Sequence, residues 1–203
     1  MQGLQAMKDS AALLVYWDGE ASDISWPEPC IVEYVTNGQG GINSLSKGTI
    51  DAMMADKNTS IYDLIGIGNI RKKYPPQTST EKTVMQTVIG DMMSAYPSES
   101  YGIIFGSHGS GWLPTITGTR SIGQDGGRYS SDTALIPELA EVLRTVNPQK
   151  FDFVLFDACM MGCAEVYYEL KDAARYCIAS VLDIPAAGFP YACLLYTSDA
   201  ADE

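Results

Sequence analysis

Residues 151–156, FDFVLF, are almost wholly apolar, and the AEVYYELKDAA that begins at residue 164 has helical character. An apolar run of that length reads as a strand buried on both faces of a sheet. Asp157, Ala158 and Cys159 then stand where strand gives way to helix. In an open parallel sheet the crevice outside the carboxyl ends of the strands is where ligands and chemistry collect, so a thiol at that point is placed for chemistry. A second short apolar run, YGIIFGSHGSGW at 101–112, ends in the single histidine of the chain and a glycine-rich turn. One imidazole and one thiol therefore each follow a buried strand.

The rest of the chain supports a sheet threaded by helices. AALLVYWDG (11–19) and CIVEYV (30–35) predict strands, joined by the polar EASDISWPEP. Residues 36–60, with NGQGG and KNTS, predict a loop-rich stretch, and IYDLIGIGNIRKKY (61–74) a hairpin or strand. Between Thr80 and Tyr96, Val84, Met85, Val88, Ile89, Met92 and Met93 recur at helical spacing, with Glu81 three residues after Thr78 as a capping box. These methionines read as core. After the histidine block come a glycine- and serine-rich loop at 113–131 and a helix, DTALIPELAEVLRTV; after the cysteine block, YCIASV predicts another buried strand. Strands alternating with helices predict an α/β fold with a mainly parallel sheet. With 203 residues, 46% of them hydrophobic, the chain can bury a full core as one domain.

The blocks GSHGSGWLP, SIGQD, IPELAEVL, FDFVLFDACMMG, EVYYELKDAA and IASVLDIPAAGFPY follow one another in an order and spacing that resembles the clostripain family of cysteine peptidases, within the caspase-like clan. The likeness covers roughly residues 78–191, and residues 1–77 more loosely. It implies a caspase-like three-layer α/β/α sandwich. MQGLQAMKDS resembles the end of a helix that in this family follows a first sheet strand, so the expectation is a domain truncated at both ends, with natural chain continuing past Tyr191. The final CLLYTSDAADE, residues 193–203, reads as a translated sequencing adapter. The expected organisation is one partial peptidase domain at 1–192 and a non-native tail at 193–203.

A free thiol has a pKa of about 8.5 and needs a neighbouring base or a helix N-terminus to act as a nucleophile near neutrality. Cys159 at the mouth of the EVYYEL helix, with His108 as its partner, meets that need. The reading is a Cys159/His108 dyad forming an acyl-enzyme, with the N–H groups of Gly109 and Cys159 as the oxyanion hole. The resemblance implies a preference for arginine or lysine on the amino side of the cut. Asp157, two residues before the nucleophile, and Asp183, in VLDIP, are the carboxylates offered for it. The competing reading for Asp157 is a helix-start acceptor of backbone N–H bonds. Several members of the family are activated by self-cleavage between the two blocks, where Arg120 and Arg128 are the only basic residues before the helix near Asp132. No cofactor is required, and calcium is admitted by the resemblance alone.

Other chemistries fit less well. Cys163 reads as core, and zinc bound by Cys159, Cys163 and His108 would lack a fourth ligand and the usual C-x-x-C spacing. GIGNIR (66–71) lacks the third glycine of a dinucleotide fingerprint, and no P-loop is present. Neither Ser107 nor Ser110 has the flanking glycines of a nucleophile elbow. The alternative from another class is a catalytically silent binding or scaffold domain, or an inactive fragment.

Charge narrows the partners. The formal charge is -12, or -9 if Asp199, Asp202 and Glu203 of the tail are set aside. An acidic chain repels phosphate backbones and mildly attracts basic peptides, so a peptide or protein substrate is expected and nucleic acid is not. Cys30, Cys159, Cys163 and Cys177 lack the dense spacing of a disulfide scaffold. No run reaches the roughly eighteen apolar residues of a membrane span, and no leader opens the chain, although the resemblance implies a secreted or cell-envelope protein.

Overall fold

The computed structural model describes residues 12–18, 28–37, 39–111, 121–125, 132–185, 188–189 and 191. They fall into two compact units, one built chiefly from residues 24–76 and the other from 77–189.

In the first unit, β1 (Ala12–Trp17) and β2 (Cys30–Val35) form where apolar β-formers predict them. They pair antiparallel, Tyr16 opposite Ile31, and β2 pairs antiparallel with a later strand, β3 (Asn69–Lys73). Two helices intervene that the sequence reading did not contain. Within the expected loop, α1 (Lys47–Ala55) starts at Ser46, whose hydroxyl accepts the Thr49 N–H at 3.3 Å. Ile50 is its one buried residue, so the helix carries almost no apolar stripe for a pattern to reveal. Of the hairpin or strand expected at 61–74, the strand forms as β3, but its first residues are a helix, α2 (Ile61–Gly66), that leads into it. A reciprocal capping box between Ser60 and Asp63 starts α2. Cys30, Val32, Tyr34, Ile42, Ile50 and Ile65 form this unit's core.

The second unit carries both marked blocks. Its first helix, α3 (Lys82–Ala95), buries Met85, Val88 and Ile89, as the spacing predicts. The Thr78/Glu81 capping box does not form: Glu81 is itself the N-cap, its N–H held in a turn by the Thr78 carbonyl at 3.1 Å. Strand β4 (Gly102–Gly106) follows. Part of the expected loop is a hairpin: β5 (Ser121–Asp125) pairs antiparallel with β6 (Asp132–Leu135), with buried Ile122 opposite buried Ala134. The next helix, α4 (Ile136–Val146), therefore begins four residues later than DTALIPEL suggests, with Pro137 in its first turn. Then come β7 (Phe151–Asp157), α5 (Ala164–Leu170) and β8 (Ala174–Ala179).

Strands β4, β7 and β8 make a parallel sheet with β7 in the centre; β7 is largely buried as expected, whereas β4 and β8, expected to be buried too, flank it and expose Ile104, Tyr176 and Ile178. One row across it is Ile104, Leu155 and Ile178. Val154 and Phe156 of β7 share a core with Leu139, Ala140, Val142 and Leu143 of α4 and Val166 and Leu170 of α5. The site-bearing strand is thus held from its flanks by strands and from one face by helices.

Candidate active site

The parallel register sets Gly106, the last residue of β4, opposite Asp157, the last residue of β7. The Ser107 N–H carries the ladder one step further, donating to the Asp157 carbonyl at 3.3 Å. His108 and Cys159 each come two residues after these paired ends, so both leave the sheet at the same carboxyl edge. The two turns then touch. A Cβ on Gly109 would stand 2.7 Å from the Cys159 carbonyl oxygen and 2.9 Å from the Met161 sulfur, so glycine alone lets the histidine turn close on the cysteine turn.

The histidine turn is fastened by β5. Gly123 N–H donates to the His108 carbonyl at 2.9 Å, and Ser110 N–H donates to the Ser121 carbonyl at 3.1 Å. This Gly109–Ile122 bridge uses the amides of Ser110 and Gly123, leaving the Gly109 N–H out of the pairing. His108 is exposed and Cys159 half-buried.

The cysteine does not sit at a helix mouth, as the sequence suggested. Helix α5 begins at Ala164 with Cys163 as its N-cap, and the chain between runs along the segment after β8. Met160 N–H donates to the Leu182 carbonyl at 3.1 Å and Gly162 N–H to the Ser180 carbonyl at 2.7 Å. These bonds, with Met160 in the left-handed region at φ 59°, draw residues 159–162 off the helical path. Cys159 is instead held by the returning segment: Ile184 N–H donates to its sulfur at 3.3 Å. Cys163 has extended backbone as the cap, rather than lying within the helix, and packs half-buried against the core.

The half-buried Asp157 carboxylate accepts the Phe189 N–H at 3.1 Å, so this donor belongs to the later segment and not to the start of α5. Asp183 is exposed, between Leu182, which holds the Met160 amide, and Ile184, which holds the Cys159 sulfur. Asp157 thus immediately precedes the cysteine turn, and Asp183 stands in the segment that is hydrogen-bonded to it. Arg120 and Arg128 lie outside the described residues, as does the tail at 193–203. What the sequence reading missed is that Ser180, Leu182 and Ile184 hold the cysteine turn and Phe189 holds Asp157. Pro185 and Gly188, turn-forming residues in SVLDIPAAG, were the available signal.

The described cysteines, Cys30, Cys159, Cys163 and Cys177, are all unbridged. Burial pushes the Cys177 thiol up to about 11 and raises that of Cys30. Among the described residues no group of three or more His, Cys, Asp or Glu could hold a metal ion. No helix of the described residues is long and apolar enough to cross a membrane.

A family model described as the Clostripain family matches residues 1–203. The fold is shared with a secreted C11 cysteine protease from Bacteroides thetaiotaomicron solved with an irreversible peptide inhibitor, at 29% identity and a TM-score of 0.67, covering 100% of this chain and 48% of that one. An inactive zymogen C11 protease from Parabacteroides distasonis matches at 27% identity and a TM-score of 0.63, covering 94% of this chain and 44% of that one. A further secreted C11 cysteine protease from B. thetaiotaomicron, "iotapain", matches at 21% identity and a TM-score of 0.64, over 89% of this chain and 45% of that one, a likeness of fold. The chain thus spans about half the length of these solved proteins. No curated protein matches it.

Proposed function

This chain belongs to the clostripain family of cysteine peptidases, with its caspase-like α/β fold, and from that premise we propose that it is a thiol endopeptidase that cuts after arginine or lysine. Cys159 Sγ, as the thiolate, attacks the scissile carbonyl carbon, and the displaced electron pair moves onto the carbonyl oxygen. The N–H groups of Gly109 and Cys159 stabilise that oxyanion. His108, as the imidazolium, gives its proton to the departing amine, leaving the acyl group on sulfur. It then takes a proton from the water that attacks the thioester, and the thiolate leaves. These steps need no metal.

The observation that carries this reading is the in-register pairing of β4 with β7, Gly106 opposite Asp157, with Gly109 against the Cys159 backbone. It brings the only histidine to the turn that bears the thiol. Asp157 and Asp183 supply the negative charge for a basic side chain, supported by their positions just before that turn and in the segment hydrogen-bonded to it. Activation by cleavage after Arg120 or Arg128 and action outside the cytoplasm complete the proposal. The last point is supported by the likeness, at 29% identity, to a secreted C11 cysteine protease.

The test is an active-site thiol probe on the full-length protein. Selective labelling of Cys159, lost in His108→Ala, is expected, together with loss of peptide cleavage in Cys159→Ala and His108→Ala. A Cys159 that stays unlabelled would assign the chain to silent scaffold domains.

A further inference from the structure

Two backbone amides of one short segment end on the two side chains at the tip of β7. Ile184 N–H reaches Cys159 Sγ at 3.3 Å, and Phe189 N–H reaches Asp157 Oδ1 at 3.1 Å. Between them, Gly188 N–H donates to the Pro185 carbonyl at 2.8 Å, closing a turn. Gly188 is left-handed, at φ 74°, and a Cβ there would stand 2.5 Å from Asp157 Oδ2 and 3.1 Å from its Cγ. Glycine is required twice, once by the backbone angle and once by the space.

The atoms a side chain at 188 would strike are those of the carboxylate itself. Backbone atoms could not yield, but a carboxylate can swing away on its own torsions. A residue with a Cβ would therefore relieve the clash by turning Asp157, and the turn would draw its Oδ1 off the Phe189 amide. The glycine thus sets the direction in which Asp157 faces.

We propose that Gly188 is a positioning residue for substrate specificity: by letting the chain lie flat on Asp157, it fixes the carboxylate, with the Phe189 amide on one oxygen, in the orientation that accepts a guanidinium or ammonium. A fork-shaped guanidinium is sensitive to the carboxylate's plane as well as its place. The inference rests on the reading of Asp157 as the site for the basic side chain.

The experiment compares kcat/KM for two fluorogenic peptides, arginine or a neutral residue before the cut, in full-length wild type, Gly188→Ala, Gly188→Asn and Asp157→Asn. Asparagine tolerates left-handed backbone and so keeps the Cβ while easing the strain at φ. A displacement of about 1 Å in a positioning group costs up to about 100-fold, so both Gly188 variants are expected to lower the arginine-to-neutral ratio by about 10- to 100-fold. The loss should fall on the arginine peptide, while iodoacetamide alkylation of Cys159 keeps its rate. An equal loss on both peptides, or loss of folding in both variants by circular dichroism, would assign the glycine to the fold alone and overturn the proposal. A ratio kept in Gly188→Asn but collapsed in Asp157→Asn would sink this inference and spare the reading of Asp157. A ratio unchanged in Asp157→Asn would sink that reading, and the inference with it.

Discussion

At the scale of single residues, the cysteines separate by environment. Cys177, in β8 opposite Val154, packs partly buried against the core, and burial pushes its thiol up to about 11, while Cys159 stands half-buried past the end of β7 beside the Ile184 amide. Iodoacetamide at pH 8 is expected to modify Cys159 first and Cys177 last, read by peptide mass spectrometry; faster labelling of Cys177 would contradict this ordering. Cys163→Ala should keep most peptidase activity, since that side chain packs at the start of α5, whereas Cys159→Ala should abolish it. Cys177 also gives a pH dependence with a definite sign. Its folded pKa lies above the ordinary value of 9.0, so the folded protein holds this proton more tightly than the unfolded chain does. That contribution to stability is fully present below pH 9.0 and is lost as pH rises toward about 11. Two pKa units correspond to at most roughly 2–3 kcal/mol. Cys30 and Tyr34, also raised by burial, act in the same direction. Melting temperature should fall from pH 8.5 to 11, less steeply in Cys177→Ala; an equal slope would remove Cys177 from the account.

At the scale of elements, α4 and the β5–β6 hairpin are the parts to test. Helix α4 points Leu139 and Leu143 into the core with no exposed surface, beside Phe156 of β7. Leu143→Ala should cost about 2–5 kcal/mol in urea unfolding, while Thr145→Ala on the exposed face of the same helix should stay within about 0.5 kcal/mol. Similar costs for the two would mean that α4 does not pack as described. The hairpin is where the proposed activation is tested. Its first strand fastens the His108 turn, and in sequence Arg120 directly precedes β5 while Arg128 lies between β5 and β6. Self-cleavage is expected after one of these arginines, giving two fragments on a denaturing gel. An active preparation that remains one chain, with neither cut found by mass spectrometry, would rule it out.

At the scale of the whole molecule, charge and fold act separately. A formal charge of -12 mildly favours the approach of positively charged groups, and salt screens that effect over about 8 Å at physiological ionic strength. For an arginine-containing peptide kcat/KM should therefore fall as salt rises from 20 to about 500 mM, more than for a neutral one. Equal salt dependence would show that steering plays no part. The fold, in contrast, is carried by packing that tolerates extensive exchange, since TM-scores of 0.63–0.67 persist at 27–29% identity.

What the sequence by itself determined is the set of strongly patterned segments: β1, β2, α3, β4, β7 and β8, each marked by an apolar run or stripe long enough to allow one reading. Its two marked side chains, His108 and Cys159, stand at the ends of β4 and β7 because strand ends are local features, and a parallel sheet lines them up. Local pattern carried less for α1, held by one buried isoleucine, and for β5–β6, whose short strands find their burial only in each other and in the core. Only the tertiary structure decided that Cys159 leaves the sheet on a turn and not on a helix, because the bonds that hold that turn come from residues 180–184. It decided one partner of Asp157 as well: the Phe189 amide is 32 residues away in sequence, a distance over which no periodicity or cap motif speaks.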